Sequence, residues 1–114
     1  MSLDGELLSA LVGLMEEDRE TMVPTRLSIL VYLYFTQHAT FPVLQKKLGL
    51  TSGNLSSHLR KLEELELIRI SKRFVDLKPT TFAVLTPNGA ERVRGQMVRM
   101  RELVSKVIDK ESNK

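Results

Sequence analysis

Apolar residues recur at helical spacing in the first third of the chain. Residues 2–15 carry leucines at three- and four-residue intervals and predict an amphipathic helix. A second helix is predicted from Pro24 to about residue 37, because proline fits the first turn, where its missing N–H would be unpaired anyway. The polar run between them, which begins Glu16-Glu17-Asp18, is interpreted as a solvated loop.

Two short helices with a tight turn between them follow a link at residues 38–40. Pro42 opens the first, and Gly49 can adopt the left-handed conformation that often ends a helix. Thr51 or Ser52 can cap the second helix, which should reach about residue 65. The residues expected to face inward on the first helix are Val43, Leu44 and Leu48. The buried stripe expected on the second consists of Leu55, Leu59 and Leu62.

After residue 67 the helical spacing gives way to extended structure. The apolar positions of the first predicted strand and its continuation are Ile68, Ile70, Val75 and Leu77. Residues 80–85 are rich in strand-forming residues, so the two segments predict a β-hairpin. Lys78-Pro79 and its neighbours are expected to form the turn, which would give the hairpin a loose tip.

A long last helix is predicted from residue 87 to about 110, with Thr86 as its cap and Pro87 at its first position. Its apolar residues follow the heptad spacing 3-4-3-4-3 and are Ala90, Val93, Met97, Met100, Val104 and Val107. This spacing favours helix–helix packing, either against residues 2–15 of the same chain or against a second copy, and both can hold at once. The residues expected to form a dimer contact are Leu3, Leu7, Leu11, Val93, Met97, Met100, Val104 and Val107.

The order helix, helix, turn, helix, hairpin is the layout of a winged helix-turn-helix domain. The sequence therefore predicts one mainly α-helical domain over residues 1–114, with a small β-hairpin wing. Residues 24–86 would form the winged core. The terminal helices, residues 2–15 and 87–110, would flank that core and serve dimerisation.

The charge distribution indicates a basic face. The net charge is only +3, but residues 1–25 carry six acids and one base, a net charge of −5, whereas residues 26–80 carry nine bases and four acids, a net charge of +5. No Asp or Glu occurs from Thr21 to Leu62. Such a face attracts polyanions, although charge alone is equally compatible with a solvated basic surface that has no partner.

Composition argues against several other classes of protein. The chain has no cysteine, which excludes disulfides and thiolate metal sites and suits a reducing interior. Two histidines without clustered carboxylates make a poor metal site, and no phosphate loop or catalytic triad is present, so we expect neither an enzyme nor a cofactor. The sequence has no signal-peptide pattern and no apolar run long enough for a bilayer, so we expect a cytoplasmic protein.

The second helix of the pair presents a polar and basic outer face on a helical projection. Side chains of these types can read base edges or hold phosphates in the major groove. The residues predicted to contact DNA from this helix are Ser52, Gly53, Asn54, Ser56, Ser57, Arg60 and Lys61. Those predicted to hold the DNA backbone are Lys46, Lys47, Lys72, Arg73 and Lys78. His58 projects near the core edge, where packing or a backbone hydrogen bond is expected.

The segment LGLTSGNLSSHLRKLEE, residues 48–64, resembles the recognition unit of a short subgroup of MarR/ArsR-type winged-helix regulators. Residues 74–81 and 85–89 are similar to the wing and the start of the last helix in that subgroup, and the resemblance covers roughly residues 24–95. It implies a homodimer that binds double-stranded DNA sequence-specifically and represses or activates transcription; any effector is unknown. Asp76 and Leu77 stand where this subgroup's wing tip tends to be rich in glycine and arginine.

A winged helix can also act as a protein–protein interaction module that does not read DNA. Such a module would more often expose aromatic or leucine anchors on the outer face of residues 52–61. That face holds small polar and basic residues instead, and this favours DNA, with an inverted repeat expected as the site of a dimer.

Overall fold

The computed structural model describes residues 4–112, so the predicted dimer-contact residue Leu3 lies outside the described residues. The elements in chain order are α1 (Gly5–Glu16), α2 (Pro24–Thr36), β1 (His38–Thr40), α3 (Phe41–Leu48), α4 (Ser52–Glu64), β2 (Ile68–Val75), β3 (Lys78–Leu85) and α5 (Pro87–Ser112). This confirms the prediction of a mainly α-helical winged helix-turn-helix with flanking terminal helices.

Side-chain caps fix where the helices begin. Thr51, rather than Ser52, caps α4, since its hydroxyl accepts a hydrogen bond from the Asn54 amide at 3.2 Å. Thr86 caps α5 in the same way, with its hydroxyl 2.9 Å from the Gly89 amide nitrogen. Gly49 ends α3 at a φ of 65°, which confirms the predicted left-handed helix end.

The sheet has the strand order β1-β3-β2, and both pairs are antiparallel. Residues 38–40, predicted as a link, form the edge strand β1, in which His38 pairs with Val84 of β3. Three residues are too few to show an alternating pattern. This strand therefore depends on the edge that β3 offers and carries no signal of its own in the sequence.

The predicted position of the hairpin turn was wrong. Asp76 and Leu77 form a two-residue turn at φ values of 50° and 67°, and Lys78 and Pro79 begin β3. Val75 and Lys78 close the turn as a pair. Hydrogen-bonded and non-hydrogen-bonded pairs alternate along an antiparallel ladder, so the missing N–H of Pro79 points away from β2. Proline therefore fits the strand, and the hairpin is tight where a loose tip was predicted.

The core lies where α2, α3 and α4 meet the sheet. Its fully buried aliphatic residues include Ile29, Leu30, Leu33, Leu44, Leu55, Leu59, Leu62, Leu67 and Ile68. The predicted stripe of α4 is thereby confirmed. The prediction for Val43 was wrong, because this side chain is 39% exposed and Leu44 alone is fully buried on α3. A helix of eight residues turns only a narrow face to the core, and Leu48 lies half-buried at its edge.

Helix α1 packs on α5 through small residues. Ala10 and Gly13 are its buried positions, whereas Leu7 is half-buried and Leu11 is 38% exposed. A Cβ on Gly13 would lie 2.6 Å from Cδ of Arg99, so glycine leaves room for the arginine to cross α1. The contact of α1 with α5 within the chain is therefore made through small residues, and Leu7 and Leu11 stay at least partly open.

An ion pair fastens each end of α1 to α5. At the start, the Asp4 carboxylate accepts a hydrogen bond from Lys106 Nζ at 2.8 Å, which lowers the pKa of Asp4 and raises that of Lys106. After its end, Asp18 is fully buried and accepts from Arg99 Nε and Nη2 at 2.7 and 2.5 Å. Hydrogen bonding to Asp18 raises the pKa of the Arg99 guanidinium. The prediction of a solvated loop was wrong at Asp18, because its partner lies 81 residues away in the sequence.

The second half of α5 extends past the core, and the described part of the molecule measures 62 × 24 × 22 Å. Val93, at the start of the heptad series, is buried in the core of its own chain, and Met100 is half-buried. Met97, Val104 and Val107 are 36, 52 and 65% exposed. Packing within the chain therefore buries the first residues of the heptad series on α5 and leaves most of the later ones exposed to solvent.

Candidate nucleic-acid interface

The outer face of α4 is polar and accessible. Burial of the apolar stripe of α4 against the core turns the opposite face to solvent. The exposed residues of this face are Ser52, Gly53, Asn54, Ser57 and Arg60, whereas Ser56 and Lys61 are half-buried. A Cβ on Gly53 would meet nothing within 4 Å, so the start of the helix is open to a close approach. This geometry suits insertion into a major groove.

Arg26 of α2 has a role that the sequence did not reveal. Its Nε donates to His58 Nδ1 at 3.1 Å, and its Nη1 donates to the backbone oxygen and Oε2 of Glu20 at 3.1 and 3.2 Å. Only 18% of the Arg26 side chain is exposed, so this arginine supports α4 from the protein interior through its bond to His58. His58, for which packing or a backbone bond was expected, bonds to this side chain instead.

Glu20 also moderates one of the predicted DNA contacts. Its Oε2 lies 3.8 Å from Lys61 Nζ, so the carboxylate partly offsets the charge of Lys61. Glu20 stands just before the acid-free stretch that made this part of the chain look uniformly basic. A loop carboxylate that folds back onto α4 gives no local signal in the sequence.

The basic residues predicted to hold the DNA backbone form two groups beside α4. Lys46 and Lys47 are exposed in the last turn of α3, directly before the turn that leads into α4. Lys72, Arg73 and Lys78 are exposed on the hairpin. All five are thus available to an anion on the sides of the α4 face.

The hairpin is held to the rest of the domain at its base. Glu63 Oε2 of α4 accepts a hydrogen bond from the Ile70 amide of β2 at 3.3 Å. Further out, the guanidinium carbon of Arg73 lies 4.5 Å from the ring centroid of Phe82, a cation–π distance. The first contact ties the hairpin to α4, and the second lies within the hairpin, between β2 and β3.

Metal-binding clusters and membrane-spanning helices are absent from residues 4–112. In this range no three His, Asp or Glu side chains come together in a way that could hold a metal ion. No helix within the same range is long and apolar enough to cross a membrane.

The family model of the winged helix DNA-binding domain matches residues 25–104. The chain belongs to this family. An uncharacterized protein of Methanocaldococcus jannaschii is 32% identical to the chain over 78 residues, which cover 68% of this chain and 85% of that protein. This winged helix protein therefore shares most of its length with an archaeal relative.

Solved structures show the same winged helix fold. The transcriptional regulator homologue from Pyrococcus horikoshii OT3 superposes with a TM-score of 0.82 at 30% identity, covering 87% of this chain and 97% of its own. MepR, a transcription regulator of the Staphylococcus aureus multidrug efflux pump MepA, gives a TM-score of 0.70 at 22% identity. The match covers 95% of this chain and 79% of MepR. Overoxidized AbfR bound to DNA gives a TM-score of 0.67 at 17% identity, and the match covers 93% of this chain and 80% of AbfR.

Proposed function

We propose that this winged helix protein is a sequence-specific regulator of transcription that binds double-stranded DNA as a homodimer. The observation that carries the proposal is the outer face of α4, which is polar and basic while its apolar stripe is buried. No large apolar side chain is exposed anywhere on this helix, which lies wholly within the described residues. A surface of this kind suits base edges and phosphates better than a protein partner.

The structural neighbours support the same function. AbfR shares the fold and has been captured on DNA, and MepR and the Pyrococcus protein are described as a transcription regulator and a regulator homologue. In this chain α4 contacts both α3 and strand β2 of the hairpin. We therefore assign α4 to the major groove and the hairpin to the backbone or minor groove.

We assign the residues of the face to two roles. Asn54 and Ser57 are exposed on the first two turns of α4, and their amide and hydroxyl groups would read base edges. Gly53 would allow the start of the helix to approach a phosphate, and Ser52, Ser56, Arg60 and Lys61 would add contacts along the rest of the face. Phosphate contacts by Lys46, Lys47, Lys72, Arg73 and Lys78 would set the position of the protein on the duplex.

Dimerisation would follow from the exposed apolar residues of the terminal helices. One recognition helix covers only a few base pairs, which is too little for selection among genomic sites. Two copies related by a two-fold axis would read an inverted repeat with half-sites about 10 base pairs apart. The residues open for this contact are Leu11, Met97, Val104 and Val107, with the half-buried Leu7 and Met100 beside them.

Selection of bound duplexes from a random pool tests the proposal. We expect enrichment of a short inverted repeat whose two halves are equivalent. A pool that stays random after repeated rounds would contradict sequence-specific binding. Retention of a protein partner in place of DNA would favour the interaction module considered above.

The affinity for the selected duplex should fall steeply with salt. If about six phosphates are neutralised per dimer, the slope of log K against log salt should be near −5. Lys72→Ala should make this slope shallower by about 2, because it removes one contact from each subunit. Lys110→Ala, at the exposed far end of α5, is the matched control and should leave the slope unchanged. Binding without salt dependence would show that the basic surface does not meet DNA.

A further inference from the structure

The tip of the hairpin combines a strained backbone with an exposed apolar side chain. Leu77 is 94% exposed and has a φ of 67°, in the left-handed region that a bulky side chain rarely adopts. Two-residue turns of this kind are usually formed by Asn-Gly or Asp-Gly. The hairpin would thus form with less strain if glycine stood at position 77. Because the side chain packs on almost nothing in its own chain, the fold does not account for it.

The surroundings of Leu77 indicate what it meets. Phe74 and Val75 are 76 and 44% exposed, so the end of the hairpin is apolar over several residues. Residues 69–78 carry a net charge of +3, and three of their four bases, Lys72, Arg73 and Lys78, lie in the outer half of the hairpin. An apolar tip among cations is complementary to a partner that is anionic outside and apolar within.

Duplex DNA has this character, because its phosphates enclose stacked bases. Proteins that bend DNA often insert an apolar side chain between two base pairs from the minor groove, and cations on either side hold the phosphates. The hairpin lies beside α4, to which it is bonded through Glu63 and Ile70. With α4 in the major groove, the tip would reach the groove next to it.

We propose that Leu77 is a wedge that enters the minor groove, partly unstacks one base step and bends the duplex. This inference rests on the proposed DNA-binding function and adds a deformation of the DNA to it. The wedge gives Leu77 its apolar contact only in the complex. The turn would stay strained in the complex, and the burial of the Leu77 side chain there would offset that cost.

Leu77→Gly separates the wedge from the stability of the hairpin. The resulting Asp-Gly turn should raise the melting temperature, because glycine accepts a positive φ without strain. The same variant should bind the selected duplex about tenfold more weakly, since the apolar contact is lost. Leu77→Met keeps an apolar side chain of similar volume and is the matched control; it should bind as the wild type does.

Fluorescence of 2-aminopurine, placed in turn at each step flanking the α4 half-site, reports the unstacking directly. The wild-type protein and Leu77→Met should increase the 2-aminopurine fluorescence at one base step per half-site. Leu77→Gly should not increase the fluorescence at any step. Unchanged brightening and affinity for Leu77→Gly would overturn the wedge while leaving sequence-specific binding intact. Failure of the wild type to bind any selected duplex would instead overturn the proposed function on which the wedge rests.

Discussion

Replacing Val104 with glutamate is expected to produce a monomer that binds its inverted repeat roughly 1,000-fold more weakly than the wild type. Val104 is 52% exposed on the part of α5 that extends past the core, and Val107 lies one turn further along the helix. In the proposed dimer these side chains leave water together. A carboxylate without a partner at this position would make that burial unfavourable. The monomer would keep one recognition helix and so lose half of the readout.

Light scattering and DNA titration on the same samples measure this effect. Ser105→Glu is the matched control, because it adds the same charge one residue further along α5 at an exposed polar position. It should remain dimeric and bind DNA as the wild type does. A monomeric wild type, or a Val104→Glu variant that stays dimeric with full affinity, would contradict the proposal that Val104 and Val107 form the dimer contact. The folded core should survive the substitution, because Val104 lies outside the buried cluster.

Asp18→Ala is expected to lower the free energy of unfolding by about 3 kcal/mol. Asp18 is fully buried and bonds to Arg99 through both carboxylate oxygens. Removing the carboxylate leaves the guanidinium without its principal partner in a site where 22% of the arginine side chain reaches water. This partial exposure places the expected cost at the lower end of the range for broken buried ion pairs.

Chemical denaturation of Asp18→Ala and Glu17→Ala provides the comparison. Glu17 lies 3.4 Å from Nη1 of the same arginine, but its side chain is 69% exposed. Its replacement should therefore cost less than about 1 kcal/mol. Equal losses for the two variants would mean that the buried pair contributes no more than an ordinary surface contact. A selective loss for Asp18→Ala would confirm that this pair holds the loop between α1 and α2 against α5.

The sequence predicted the elements whose determinants are local. The apolar stripe of α4, the left-handed Gly49 and the Thr86 cap each depend on residues within a few positions of one another, and all three appear in the structure. The fold class followed from their order. For the same reason, the sequence alone is enough to propose the α4 face as a DNA-binding surface.

The features that escaped prediction depend on distant residues. The strand β1 exists because β3 offers a free edge, and Asp18 is buried because Arg99 lies 81 residues further along the chain. The role of Arg26 depends on Glu20 and His58, which lie 6 and 32 residues away in the sequence. The hairpin turn was misplaced because Lys78-Pro79 is a stronger turn signal in sequence than Asp76-Leu77, whose positive φ values are unusual for those residues.

The network around Arg26 links the loop to the proposed recognition helix. Glu20 follows Asp18 by two residues, so one loop contacts α5 through Asp18 and α4 through Glu20. The loop between α1 and α2 therefore bridges a terminal helix and the helix proposed to enter the major groove.

The most direct test of the central claim is the affinity of Asn54→Ala for the selected duplex and for random duplex DNA. We expect a loss of about 1–3 kcal/mol on the selected site and almost none on random DNA, because Asn54 is assigned to base edges and not to phosphates. Lys72→Ala is the contrasting variant and should weaken binding to both duplexes equally. An equal loss on both duplexes for Asn54→Ala would contradict the claim that this face of α4 reads the sequence of DNA.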